Sequence, residues 1–500
     1  MRQRIEVRAA RRPWLSADFV RAMLAGHSAL GLGFAALIYI VCFTGTVAVF
    51  LNEFKRWEQP DAPVAPQGVT ADAVAAAFAA AHARSLAEGG ADAIYIAGPG
   101  PISPRFEIHY DDHHAGVEGE WLADGNGSLI TPLRAPWSEF LAELHTALHL
   151  PRAWGTFLVG LVGVALLSSL ISGLLSHPRI FKDAFALRWG GSRRLQEADL
   201  HNRLGVWGLP FHLVVSLTGA LLGLSTLIIG ILALAAYDGD SERAFAEILG
   251  PMARADEAPA PLPDIAAMIR QIEATVPHAR FVSARAQHIG AAGQMVHLGM
   301  RTPGQIAMAN TYYFDGQGTR LGDGGLETGG IGQQILGMLQ PLHIGWFGGM
   351  AVKVAYGLLG AALTLVTYSG VTIWLARRRD KGQPAPGWET AWSALGWGQP
   401  LALATTAGAS LVMDTGALLP IYLTTMAAAF AAAFATRHSI GTPRLLRLAT
   451  AAAFGTVAIL HTILWASRGS DPMATAINAI LVGCALILAT SAFHSKWKGV

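Results

Sequence analysis

Residues 26–51 read GHSALGLGFAALIYIVCFTGTVAVFL. The stretch carries no charge and is long enough to span a bilayer. It opens on His27, with Gly31 four residues later and the pair Thr44-Gly45 seventeen and eighteen residues later. The pattern returns in residues 200–222, LHNRLGVWGLPFHLVVSLTGALL, where His201 is followed by Gly205 at +4 and by Thr218-Gly219 at +17 and +18. A span that only had to be greasy needs neither the histidine nor the small residues. The rest of the chain is therefore read as organised around these histidines.

Of the 500 residues, 52% are hydrophobic and 14% charged, against about 25% charged in an ordinary soluble protein. This is the composition of an integral membrane protein with some extramembrane mass. The formal charge of +2 matters less than where the charges sit, and no nucleic-acid partner is expected. The Arg-rich first 26 residues lack a cleavage site before a short apolar core, so the first span is read as retained. Cys42 and Cys484 both lie in apolar stretches and imply no disulfide framework, and there is no CxxCH.

Walking outward, residues 1–26 form a basic N-terminus and 27–51 the first span. Residues 52–139 are a polar outer block with a helix at 72–87, strands at 93–97 and 106–110, and a hairpin, WLADGNGSLI. A second span occupies 140–176, a basic loop with Arg179, Lys182, Arg188, Arg193 and Arg194 falls in 177–200, and a third span covers 201–236. Residues 237–333 form a second polar block with a helix at 264–275 and the stretch YYFDGQGTRLG. The fourth span, 334–376, stops at Arg377-Arg378-Arg379, and 377–397 read as a loop. Four Ala-rich spans follow within 398–491, near 398–413, 417–436, 448–466 and 473–491, and 492–500 form a tail. Basic residues cluster at the N-terminus, in alternate loops and in the tail at Lys496 and Lys498. Eight spans with both termini in the cytoplasm satisfy the positive-inside rule and put both polar blocks outside.

The halves resemble each other. Asp124-Gly125-Asn126-Gly127 matches Asp315-Gly316-Gln317-Gly318, and Gly160, Gly163 and Gly173 have the mutual spacing of Gly357, Gly360 and Gly370. The chain reads as a duplicated unit of span, outer domain and span, with a pseudo-two-fold axis along the membrane normal. The expected fold is an α-helical integral membrane protein with a four-helix bundle, two small α+β outer domains and four additional C-terminal helices.

Depth follows from that topology. His27 and His201 begin outward-running helices near the cytoplasmic face, while His145 and His343 begin inward-running helices near the outer face. The duplication relates each pair and brings its members together across the axis. Two neutral imidazoles on opposite sides of a flat macrocycle are the axial ligation of a six-coordinate b-type haem, and without CxxCH the haem is held with no thioether bond. Two such haems are expected. Gly31 and Gly205, one turn from their histidines, leave room for a porphyrin edge. Eighteen residues make five turns, so Gly45 and Gly219 face the same way about 27 Å further out, at the depth of the outer layer. Gly163, eighteen residues from His145, falls at the inner depth. Intramembrane ionisable groups are costly and usually functional, although an interfacial histidine is often only a polar anchor.

Other residues are weaker candidates. His149 is an alternative ligand or a hydrogen-bond partner of His145, and His212 shares a face with His201 and is a ligand candidate at mid-depth. His461 is read as structural, and His109, His113 and His114 as a solvated loop rather than a metal site. Lys353 is a propionate partner or a snorkelling cation. Arg152 and Arg203 are candidate propionate partners or headgroup anchors, and Trp154, Trp207 and Trp346 belong to an interfacial belt. There is no GxGxxG after a strand and no P-loop, so electrons must come from a separate donor, cytoplasmic or quinol.

The LHxxxG-to-TG span, the ELH and PLHIG spans, the ISG and YSGVTIW helix ends and the two outer DGxG strands resemble the PepSY-associated transmembrane helix family, also called iron-regulated membrane proteins. The similarity covers about residues 12–380. The resemblance implies PepSY-like outer domains and an inner-membrane, di-haem oxidoreductase that reduces ferric siderophores during iron uptake. His27, His145, His201 and His343 match the family's recurring histidines. The expected acceptor is a ferric siderophore or another periplasmic species. The competing expectations are a PepSY-type sensor or peptide-binding protein without redox activity, and a quinone-linked cytochrome b.

Overall fold

The computed structural model describes residues 15–65, 68–100, 103–112, 114–177, 193–251, 253, 256–436, 442–468 and 471–494. Arg179, Lys182 and Arg188, His113, and the tail lysines Lys496 and Lys498 lie outside these residues.

The first half runs α1 (Ala17–Gly33), α2 (Ala35–Ala48), α3 (Leu51–Glu58), α4 (Ala71–Leu86), β1 (Ala93–Ala97), β2 (Phe106–Asp112), β3 (Val117–Ala123), β4 (Leu129–Pro132), α5 (Pro136–Ala147) and α6 (Arg152–Ser176). The second half runs α7 (Arg193–Trp207), α8 (Leu209–Gly223), α9 (Ser225–Ala236), α10 (Ser241–Leu249), α11 (Ile265–Thr275), β5 (Arg280–Gln287), β6 (Met295–Arg301), β7 (Asn310–Asp315), β8 (Arg320–Asp323), α12 (Ile331–Ile344) and α13 (Gly349–Asp380). The C-terminal helices are α14 (Pro386–Ser410), α15 (Leu418–Ala435), α16 (Thr442–Trp465) and α17 (Pro472–His494).

Among the described residues, five helices are long and apolar enough to cross a membrane, and two bent pairs bring the number to seven. The chain is a multi-pass membrane protein. The first and third spans are not the straight helices expected. α1 and α2 meet at 70°, as do α7 and α8. The second break has a clear cause: Pro210 stands in the first turn of α8, where its ring and missing N–H end the preceding helix. The first falls at Phe34, just after Gly31 and Gly33, residues that hold a helix weakly. The second and fourth spans are also divided. The short helices α5 and α12 precede the long helices α6 and α13, and the third span's outer end is the separate helix α9. The expected loop at 377–397 is largely helical, because α13 continues to Asp380 and α14 starts at Pro386.

The polar blocks fold as foreseen in their elements and differently in their assembly. Thr70 caps α4 by accepting from the Ala73 N–H, and Asp264 caps α11 by accepting from that of Ala267. In both DGxG turns the aspartate accepts two backbone N–H groups, Asp124 from Asn126 and Ser128 and Asp315 from Gln317 and Thr319. Gly127 and Gly318 close the turns at φ of 89° and 83°, which favours glycine. The two sets of four strands do not form separate domains. They join in one antiparallel eight-stranded sheet, β4-β3-β2-β1-β5-β6-β7-β8, through β1–β5 pairing of Tyr95 with Arg285. α4 and α11 cover one face, burying Ile94, Ile96, Ile108, Val296 and Leu298. The sheet is tied to the bundle through α3: Arg105 donates to the carbonyls of Lys55 and Gln59, and Lys55 pairs with Glu107 at 3.1 Å.

Candidate functional site: two histidine pairs

The four histidines singled out in the sequence come together as two pairs. His27 on α1 and His201 on α7 place their ring centroids 6.3 Å apart with planes at 74°. His145 on α5 and His343 on α12, at the sheet end of the bundle, are 6.2 Å apart with planes at 21°.

Each ring is held through Nδ1 by a helix other than its own. His27 donates to the Ser169 carbonyl at 2.8 Å, and His145 to that of Val41 at 3.1 Å. His201 Nδ1 lies 3.0 Å from Ser369 Oγ and His343 Nδ1 3.0 Å from Thr218 Oγ1. Those hydroxyls donate to their own helices, Ser369 to the Val366 carbonyl and Thr218 to that of Val214, so toward the imidazole they accept. Thr44 does the same for His145, at 3.3 Å, while donating to the Ile40 carbonyl. With its proton fixed on Nδ1, a neutral imidazole presents the Nε2 lone pair for ligation.

Gly45 and Gly219 stand at the His145/His343 pair, as the eighteen-residue spacing implied, and against the rings themselves. A Cβ on Gly45 would stand 2.6 Å from the His145 ring, and one on Gly219 2.8 Å from the His343 ring. These two glycines seat the opposing histidine itself. At the other pair the seats are Gly173, whose Cβ would lie 3.0 Å from the His27 ring, and Gly370, 3.4 Å from that of His201. Gly163 packs instead against the backbone of Ala220 on α8. The eighteen-residue count from His145 to Gly163 assumed one unbroken helix, and the turn at 148–151 between α5 and α6 interrupts it. The missed seats carried one faint signal, the Ser-Gly pairs at 172–173 and 369–370. Gly31 and Gly205 line a cavity of about 340 Å³ that also includes His27, His201, Trp374 and Arg377. Among the described residues its wall takes its arginine from Arg377, which the sequence had given only to topology.

Arg203 lies 3.8 Å from Asp199, and Arg152, 83% exposed, 3.9 Å from Glu143. Lys353 neither snorkels nor faces a ring; its Nζ sits 2.7 Å from both carboxylate oxygens of buried Glu53. His149 folds back on its own helix, stacked on Phe140 and 3.0 Å from the Phe140 carbonyl. His212 is fully buried against Gly208. His461 bonds to the Trp57 carbonyl. His109 sits between Glu120 and Asp111 on the sheet, and the nearby carboxylate Glu120 raises its pKa. Among the described residues no group of three or more His, Cys, Asp or Glu gathers to hold a metal ion. Trp154 and Trp207 are exposed, as in an interfacial belt.

An uncharacterized protein of Pseudomonas aeruginosa is 32% identical over 255 residues, which span 49% of this chain and 64% of that relative. A sequence model of the PepSY-associated TM region matches residues 24–377, a stretch that contains both histidine pairs and the whole eight-stranded sheet. The chain belongs to the PepSY-associated TM region family.

Proposed function

We propose that this chain carries electrons across a bacterial inner membrane between two bis-histidine b-type haem sites, His27/His201 and His145/His343. It delivers them to a periplasmic acceptor, a ferric siderophore being the acceptor the family resemblance implies. The reading treats the two halves as a duplicated unit, with both termini cytoplasmic and the sheet outside.

The observation that carries this reading is the spacing within the pairs. A ligating imidazole nitrogen lies about 2 Å from its metal and about 1.1 Å from its own ring centre, so axial imidazoles on one iron put their centres about 6.2 Å apart. Here the separations are 6.3 and 6.2 Å. The residues also fit the group in other ways: each Nδ1 is engaged, each ring is seated on a glycine, and Gly31 and Gly205 open on the cavity. When bound, the group supplies reversible one-electron chemistry at a six-coordinate iron.

The chain's own residues do the rest. Ser169, Thr44, Ser369 and Thr218 fix the tautomer and the plane of each imidazole. Arg377 offers a positive partner to anionic groups at the cavity wall. The apolar helices exclude water between the pairs. The cytoplasmic or quinol donor meets the inner pair and the acceptor meets the sheet side. Reduction of ferric iron to ferrous weakens its binding by hard oxygen ligands and releases it.

The test is a pyridine haemochrome assay with oxidised and dithionite-reduced spectra of purified protein. Two non-covalent b-type haems per chain, low-spin and six-coordinate, are expected. A colourless preparation sinks the proposal and favours a sensor.

A further inference from the structure

The four C-terminal helices lie beyond the family match at residue 377, yet they pack on one half of the matched region in a particular way. Arg56 on α3 makes two bonds to Asp471 at the start of α17, at 2.7 and 2.6 Å. The next residue, Trp57, is 1% exposed and stacks on His461 of α16 at 4.6 Å. Three hydrogen bonds close a ring there. The Trp57 indole donates to Asn478, the Asn478 amide to His461 Nδ1, and His461 Nε2 to the Trp57 carbonyl.

Glu58 follows and reaches α5. Its carboxylate accepts from the Trp137 and Ser138 N–H groups at 2.6 and 2.9 Å and from the Ser138 hydroxyl at 2.6 Å. These bonds occupy N–H groups that a helix start leaves without partners and fix that start in place. From α5 the contact returns to the C-terminal helices: the Trp137 indole lies 3.2 Å from both the Leu403 carbonyl and Thr406 Oγ1.

The counterpart helix in the second half has no such cover. α5 buries Trp137, Ser138, Phe140, Leu141, Leu144 and Ala147. In α12 only Pro341 is buried, Ile331 and Ile335 are 80% and 49% exposed, and the helix start is closed locally by Gln333. The two helices carry the two members of one histidine pair, so the members are held unequally.

We infer that the C-terminal four helices are a clamp on the helix carrying His145, acting through the positioning residues Trp57, Glu58 and Trp137, so that His145 is the fixed member of its pair and His343 the movable one. The consequence for the pair rests on the function proposed above, whereas the clamp is measurable without it.

Hydrogen–deuterium exchange on the full-length protein in nanodiscs tests the clamp. His461→Ala removes the Trp57 stack, and Trp137→Phe keeps a ring while losing both indole bonds. In each variant residues 136–147 should exchange roughly tenfold faster, with 331–344 unchanged and His461→Phe restoring protection. No change in 136–147, or equal change in both helices, overturns the clamp. A potentiometric titration of the same variants then reads the pair. A shift confined to the sheet-side component supports positioning, and an unshifted one with faster exchange overturns it. Wild-type protein without pigment overturns the proposed function and leaves the exchange result to decide the clamp.

Discussion

At the scale of the residue, the Thr-Gly pairs show why two small side chains are needed seventeen and eighteen residues after a histidine. Thr44 and Thr218 accept from an imidazole Nδ1 while donating to their own helices, and Gly45 and Gly219 leave the ring its space. That makes a contrast to measure. A methyl group at Gly45 or Gly219 would press on its ring at 2.6 or 2.8 Å, whereas one at Gly370 meets His201 at an ordinary 3.4 Å. Gly45→Ala and Gly219→Ala should therefore lose or broaden the sheet-side absorption component, and Gly370→Ala should keep a wild-type spectrum. Equal behaviour of all three would show that the seats do not set the rings. His27 and His201 were legible in the sequence because the same spacing follows both, and His145 and His343 because they begin the second and fourth spans of the repeated unit. Glu53 and Lys353 were not, since an ion pair between positions 300 residues apart leaves no local pattern.

At the scale of the element, strand and turn signals located the two helices of the polar blocks and the first two strands to within a few residues, while the membrane spans were misread as straight. Gly31 and Gly33 stand before the first 70° bend and Pro210 at the second, break signals that the uniform apolarity of the spans outweighed. The turn after α5 carried a signal in Pro151, which stands at the start of α6. Leu148 and His149 both take positive φ, 54° and 53°, without a glycine to mark them. The start of that helix makes a prediction about pH. Burial pushes the Glu58 carboxyl up to about 7, against about 4.3 in an unfolded chain. Between these values the folded form binds the extra proton, so this group makes stability fall as pH rises from about 4.3 to about 7 and stay level above. Thermal unfolding of wild type and Glu58→Gln across that range is the check. The substitution should flatten this part of the profile, and an unchanged slope would mean the carboxyl titrates as if exposed.

At the scale of the molecule, Ile94 and Ile96 are buried and Tyr95 is exposed, and an alternation of that kind marks a face of β1 but not which strand lies beside it. A period of two fixes the face and leaves the neighbour open. The union of both polar blocks in one sheet was therefore out of reach, although each block's strands were not. The sheet has a consequence for topology. Because its eight strands form one continuous ladder, both blocks must lie on the same side of the membrane, whatever the loops do. This constrains the first-half and second-half spans independently of any charge count. In the proposed topology the basic run Arg377-Arg378-Arg379 at the end of α13 lies on the opposite, cytoplasmic side. In a Cys42→Ala, Cys484→Ala background, a membrane-impermeant thiol reagent added to spheroplasts should label Ile306→Cys, an exposed position beyond β6. It should label Gln383→Cys, in the exposed turn between α13 and α14, only after permeabilisation. Labelling of 383 without 306 would invert the orientation and with it the direction of electron flow. Labelling of both from outside would require an even number of crossings between 306 and 383, which a single crossing by α13, one 32-residue helix, does not allow.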